Sequence, residues 1–566
     1  MNEEEPTEQD QQLTELLERI LDGYTNEDDR ARMLALLNDH QGGRERAVEQ
    51  LVVDGLLGIA LENGSRKSQF QEKLAARLAS EEKRSMLNRM EGIFLRNRRW
   101  LALILGLMMA VAAWISLWFS LADGSTVTDP GAACWTGAVL TLCAVWWVFE
   151  PIPIPATSLI PMAIFPLVGV LDEGAIAASY GHHLVILFLS GFMLSRAMER
   201  SGAHRRLALG MVKVIGGTGG KRLVLGFMVA SAGLSMWISN TATGLMLLPV
   251  AIAVIDQCEN RRLATPLLLG VAYAASIGGI ATPIGTPANA VFLAQADLLV
   301  SDGIIAETPG FFSWMKLGLP VVCIMLPLAW LWLTRGKWPA TRLRMTGSGA
   351  WRTSEVRVVI VFSLTALLWI TRQDPFGGWS RLLGVPGVRD STVGLMAVIA
   401  LFVIPSGDSK GDRLLDWESA GSIPWGILIL FGGGIAIGNA FTSSGLSQAL
   451  AESMHNLSGL PTIVMIATVA LLVTFLTEVT SNTATATVLM PLLAATAIAA
   501  NIRPELLMVP AAMSASCAFM LPVATPPNAV VYAVGEFSIK RMAQEGLVLN
   551  FIGAIVITTV CYLLLR

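Results

Sequence analysis

Apolar and polar positions divide the chain into two unlike parts. Over residues 10–90 apolar side chains recur at helical spacing: Leu13, Leu16, Leu17, Ile20 and Leu21, then Met33, Leu34, Leu36 and Leu37, then Leu51, Leu56 and Leu57. Gly42-Gly43 and Asn63-Gly64 interrupt the pattern. This predicts a small helical module over 1–99. From Trp100 onward the chain consists of long apolar runs joined by short charged loops. A membrane helix needs about 20 apolar residues to cross ~30 Å. The runs predict spans at 100–122, 131–149, 154–171, 183–199, 264–296, 317–334, 356–371, 392–405, 424–450, 505–535 and 545–565. Two further runs, 223–255 and 460–500, carry polar residues at their centres and are expected to be re-entrant hairpins. Non-helical backbone at membrane depth survives only where protein or a water-filled cavity satisfies it. The predicted fold is an all-α polytopic membrane protein of about 11 transmembrane helices and two hairpins.

Composition supports this. Charged residues are 15% and hydrophobic residues 53% of 566, where a soluble domain carries roughly a quarter charged residues. The net charge of −3 and the absence of a basic stripe speak against a nucleic-acid partner. The acidic start, MNEEEPTEQD, is unlike a secretory signal. None of the six cysteines forms a CxxC pair, and most lie in apolar runs as small hydrophobes.

Charge also orients the chain. With the N-terminus in the cytoplasm, Arg89, Arg96, Arg98 and Arg99 lie inside, as do Arg205, Arg206, Lys213, Lys221 and Arg222 around the first hairpin and Lys540 and Arg541 before the last span. Asp129, Asp172, Glu173, Asp297, Asp302 and Glu307 fall on the other side, together with the C-terminus. This is the positive-inside bias. The expected location is a bacterial inner (plasma) membrane.

The membrane part repeats itself. Ser239-Asn240-Thr241-Ala242-Thr243 recurs as Ser481-Asn482-Thr483-Ala484-Thr485, each followed by a proline, Pro249 and Pro491. Thr286-Pro287-Ala288-Asn289-Ala290-Val291 recurs as Thr525-Pro526-Pro527-Asn528-Ala529-Val530. The halves are 100–345 and 346–566. The predicted topology opens the two hairpins to opposite sides, so the halves are expected to be inverted copies. Interrupted segments at matching positions of inverted repeats point to a transporter site near the midplane. The residue types suit that use. Helix N-termini carry about +0.5 charge each and favour anions. Asn amides donate to carboxylates, and Thr and Ser hydroxyls serve anions as donors or cations through their lone pairs. Freed carbonyls suit a hard cation such as sodium. Each Thr-Pro-x-Asn stretch lies within a predicted span, where proline breaks the helix and leaves a short unwound link.

At these residues the chain resembles the divalent anion:sodium symporter (DASS) family, over about residues 95–566. The resemblance implies homodimers in the lipid bilayer, each protomer having a scaffold domain and a transport domain that moves as an elevator. It implies cargo of di- or tricarboxylates such as succinate, or less often sulfate, with Na+ as the co-transported ion and no organic cofactor. It places one sodium site at Ser235, Ser239, Asn240 and Gly285, and a second at Thr477, Ser481, Asn482 and Ala524. It places the substrate carboxylates at Asn240, Thr241 and Thr286 from one half and at Asn482, Thr483, Thr525 and Pro526 from the other. The family says nothing of the N-terminal module.

Other residues have plainer readings. Glu478 lies at membrane depth, either as a functional carboxylate that favours cation entry or takes up a proton, or as an acceptor for the hairpin's backbone N–H groups. His182 and His183 begin a span with no Cys, Asp or Glu at ligand spacing, so no metal is expected there. Arg196, Glu199 and Arg200 are expected at an interfacial helix end with their charges snorkelling to water. No G-x-S-x-G, H-E-x-x-H or Walker A sequence occurs, and no enzymatic activity is expected. The reading is a sodium-coupled importer of divalent anions, a C4-dicarboxylate such as succinate leading. The alternatives are a sodium-independent dicarboxylate or citrate exchanger on the same fold, and a ligand sensor signalling through 1–99.

Overall fold

The computed structural model describes residues 99–566 apart from 122–126, 128, 217–218, 257–260, 337–349, 374–376, 409–410 and 454–460. The expected module of 1–99 thus lies outside the described residues, save Arg99. Within them the chain is helical, the sole β feature being an isolated bridge between Pro405 and Arg413.

Helices α1 (Arg99–Leu121) and α2 (Pro130–Phe149) come first. Three short pieces follow, Ile154–Thr157, Ile160–Leu167 and Glu173–Tyr180. The predicted span at 154–171 is therefore broken, and Pro153, Pro155, Pro161 and Pro166 explain why: each removes a backbone donor. Then come α3 (His183–Ser201), α4 (Ala203–Gly216), α5 (Gly220–Ser235), α6 (Asn240–Asp256), α7 (Ala264–Gly279), α8 (Pro287–Ser301) and α9 (Phe311–Leu333). After α10 (Thr353–Ile370) and α11 (Asp390–Val403), the same order returns as α12 (Trp425–Ser443), α13 (Leu446–Ser453), α14 (Thr462–Leu476), α15 (Asn482–Ala499), α16 (Glu505–Ser514), α17 (Pro526–Tyr532) and α18 (Ile539–Leu565). Among the described residues, eight helical segments are long and apolar enough to cross a membrane: α1, α2, Glu173–Ser201 (which contains α3), α9, α10, α12, α15 and α18. The arms α5, α6 and α14 and the pieces α7, α8, α16 and α17 are shorter than 18 residues.

The cuts fall where the sequence places polar residues. Helix α5 ends at Ser235 and α6 starts at Asn240; α14 ends at Leu476 and α15 starts at Asn482. Residues 280–286 separate α7 from α8, and 515–525 separate α16 from α17. The helices on either side of these cuts pack on one another: α6 on α17, and α8 on α15 and α16. Within the first half α5 lies along α7, tied by Ser231 Oγ donating to the Val271 carbonyl at 2.7 Å. The backbones approach closely, since a Cβ on Gly278 would fall 2.3 Å from the Ala232 carbonyl oxygen.

That contact yields a prediction. Gly278→Ala forces α5 and α7 apart and should cost about 1–3 kcal/mol, as overpacking does. A lowered thermal unfolding midpoint of the purified protein is the expected readout.

Candidate functional site

Four helix N-termini meet at one cavity of about 1180 Å3. Ser239, Asn240 and Thr241 at the first tip and Ser481, Asn482 and Thr483 at the second line it. So do Gly285, Thr286 and Pro287 from the first link and Ala524, Thr525 and Pro526 from the second. Helices α6, α15, α8 and α17 all begin here. Pro287 and Pro526 open their helices, with Thr286 and Thr525 as extended N-caps, and proline at that position sacrifices only an N–H that had no helical partner. The Ser516 hydroxyl reaches the Thr286 hydroxyl at 3.4 Å, so the two links face each other. The aligned N-termini make the cavity attractive to an anion without any Lys or Arg in the motifs.

Behind each tip lies a cluster of oxygens. Ser235 Oγ donates to Asn240 Oδ1 at 2.5 Å, and Thr477 Oγ1 donates to Asn482 Oδ1 at 2.6 Å. Ser235 and Thr477 are fully buried and do not line the cavity. A Cβ on Gly279 would meet Asn240 Oδ1 at 2.9 Å and the Gly285 carbonyl oxygen at 3.1 Å, so these oxygens converge on one spot. Thr477 Oγ1 also lies 3.1 Å from the Ala515 carbonyl of the second link. Oxygen-only donor sets suit hard cations. Every residue expected to bind sodium or substrate is therefore at the cavity or immediately behind it.

The unwound links are braced by residues that the sequence reading quoted but gave no role. The Asn289 amide donates to the Gly279 and Thr282 carbonyls at 3.0 and 2.8 Å. Asn528 does the same to the Ala518 and Leu521 carbonyls at 3.0 and 3.1 Å. Their matching places in the repeated Thr-Pro-x-Asn motif were the available signal. Glu478 is buried at 3% exposure. Its Oε1 accepts from the Phe519 and Met520 amides at 2.7 and 2.9 Å and from Asn550 Nδ2 at 2.7 Å, and its Oε2 from the Leu521 amide at 3.1 Å. Of its two expected roles the geometry fits the backbone acceptor, although the amides belong to the broken helix rather than to the hairpin. The first half has Met236 at the corresponding place, and there the Thr282 hydroxyl donates to the Met236 carbonyl.

The cavity continues to Arg196, Glu199, His204 and Arg205. Arg196 and Glu199, expected at a helix end, lie in the last turns of α3 and pair at 2.5 Å in the cavity wall, and Arg196 Nε donates to Ser422 Oγ at 2.9 Å. Arg200 pairs with Asp412 and Asp416 at 2.9 and 2.7 Å.

Glu478→Gln replaces an acceptor oxygen by an NH2 that faces backbone N–H groups. Leaving such buried groups unpaired costs about 1–3 kcal/mol. Thermal melts should show a drop of that order for Glu478→Gln and a smaller drop for Asn550→Ala; an unchanged midpoint in both would contradict the bracing role.

Comparison with known proteins agrees in kind. A family model described as a citrate transporter (CitMHS) matches residues 144–506. The chain is 38% identical over 450 residues to the sodium-dependent dicarboxylate transporter SdcS of Staphylococcus saprophyticus, covering 75% of this chain and 85% of that one. It is 38% identical over 452 residues to SdcS of Staphylococcus aureus, strain bovine RF122, covering 75% and 84%. Among solved structures it is similar to the Alcanivorax borkumensis YdaH transporter, with TM-score 0.49, 15% sequence identity, and 70% and 87% of the two chains covered.

Proposed function

The chain belongs to the divalent anion:sodium symporter family, and from that premise we propose that it imports divalent anions coupled to sodium, with C4-dicarboxylates such as succinate as the leading cargo. The observation that carries this reading is the meeting of both tips and both links at one cavity. The substrate carboxylates lie against Asn240, Thr241 and Thr286 on one wall and Asn482, Thr483, Thr525 and Pro526 on the other. Sodium ions sit behind, one among Ser235, Ser239, Asn240 and Gly285, one among Thr477, Ser481, Asn482 and Ala524. The names of the two relatives support both sodium and dicarboxylate. Charge sets the coupling: each charge crossing 100 mV is worth about 2.3 kcal/mol. A dianion entering with net positive charge needs at least three sodium ions, one beyond these two sites.

The two halves act as inverted copies, and the hairpins with their broken helices form the body that carries the site as an elevator in each protomer of a homodimer. The packing of α6 on α17 and of α8 on α15 and α16 supports a single carrying body. The cavity reaches Arg196 and Arg205, on the face the charge bias assigns to the cytoplasm, which supports an inward-open conformation.

Uptake of labelled succinate into proteoliposomes tests this. Sodium-dependent accumulation into unloaded vesicles is expected. Uptake that requires internal succinate and ignores sodium would instead establish an exchanger. Asn240→Ala and Asn482→Ala each remove a hydrogen bond to a charged group, worth about 1.5–3 kcal/mol. Each should lower kcat/KM by about tenfold or more while the protein still folds.

A further inference from the structure

We propose that His182, His183 and Asp297 form a divalent-cation site, suited to zinc, that fastens α3 to α8 at the ends of these helices away from the cavity. His182 precedes α3, and its Nδ1 accepts the Leu184 amide at 3.4 Å, which turns Nε2 toward Asp297 on α8. His182 Nε2 lies 3.1 Å, and His183 Nδ1 3.7 Å, from the same oxygen, Asp297 Oδ2. The three ligand atoms lie within 4.8 Å of one another. Tetrahedral zinc with bonds of about 2.0–2.2 Å to nitrogen and oxygen spaces its ligands by roughly 3.3–3.6 Å. The two edges, 3.1 and 3.7 Å, bracket that spacing. The side chains are 17%, 23% and 20% exposed, enough for an ion and a water ligand to enter.

Two neighbours refine the site. The Thr308 hydroxyl donates to Asp297 Oδ1 at 2.5 Å and holds the carboxylate with Oδ2 facing the histidines, the outer-sphere support that metal ligands commonly have. Arg389, at the start of α11, places Nη1 2.5 and 2.9 Å from the two ring nitrogens of His183 and 3.7 Å from Asp297 Oδ2. Its guanidinium stands where a metal cation would sit. Arg389 is 56% exposed and can swing into solvent. It is therefore a built-in competitor, and zinc binds by displacing it.

The position gives the metal a consequence. Asp297 lies about 15 Å along α8 from Pro287 in the cavity wall, and His183 about 20 Å along α3 from Arg196. A metal bridge joins two helices that line the cavity at their other ends. This consequence, unlike the site itself, rests on the elevator reading above: a body carrying α8 past α3 has to break the bridge, so bound zinc slows transport.

Zinc binding to the purified full-length protein, followed by calorimetry, tests the site independently of transport. One zinc ion per chain is expected. His183→Ala and Asp297→Asn should each weaken it by about tenfold or more, and Arg389→Ala should strengthen it. No saturable binding, or binding indifferent to all three substitutions, overturns the site. In proteoliposomes with zinc on both sides, succinate uptake should fall, recover on chelation, and become insensitive in His183→Ala. Zinc that binds as expected yet leaves uptake unchanged overturns the clamp. A protein that binds zinc but transports no dianion under any condition refutes the transport reading and leaves the site standing.

Discussion

A polypeptide that stops being helical inside a bilayer leaves N–H and C=O groups with no water to satisfy them. Four interruptions of the helical backbone meet at one cavity, and the proposed function depends on their being held open. The broken helices solve the problem with side chains. Asn289 and Asn528 bind the carbonyls of the two links, and Glu478 collects three successive amides of the second. Once the links are fixed, four helix N-termini point into one cavity, and the field that attracts an anion comes from backbone that is already oriented.

Much of this was legible in the sequence because the same physics writes the pattern. Two apolar runs, 223–255 and 460–500, are interrupted by polar residues, and those interruptions line the cavity. The motifs at Ser239–Thr243 and Ser481–Thr485 marked the hairpin tips, and the prolines Pro287 and Pro526 marked the helix restarts. Element order then repeats as the sequence does. The span at 154–171 misled because hydropathy counts proline-rich and proline-free runs alike, whereas the backbone does not.

Several of the less legible features join residues far apart in the chain. Glu478 could be marked as a carboxylate at membrane depth, but only the fold places the amides of 519–521 around it. The cavity wall formed by Arg196 and Glu199 looked like an ordinary helix end. His182 and His183 had no acidic neighbour in sequence, and Asp297 arrives from another helix. Ser235 and Thr477 were placed at the site by resemblance, and their burial behind the tips could not have been inferred from residue type.

The cavity has one more property. Its two walls present the same kinds of donor, an asparagine and a threonine at each tip and a threonine at each link. Matched walls cannot tell one end of a guest from the other. For the dianion proposed above, such walls would gauge the separation between two negative charges, much as a caliper gauges width without regard to what lies between its jaws. On that proposal an anion with unlike ends would settle either way round between the tips, and diacids of equal length that differ only along the carbon backbone would compete on nearly equal terms.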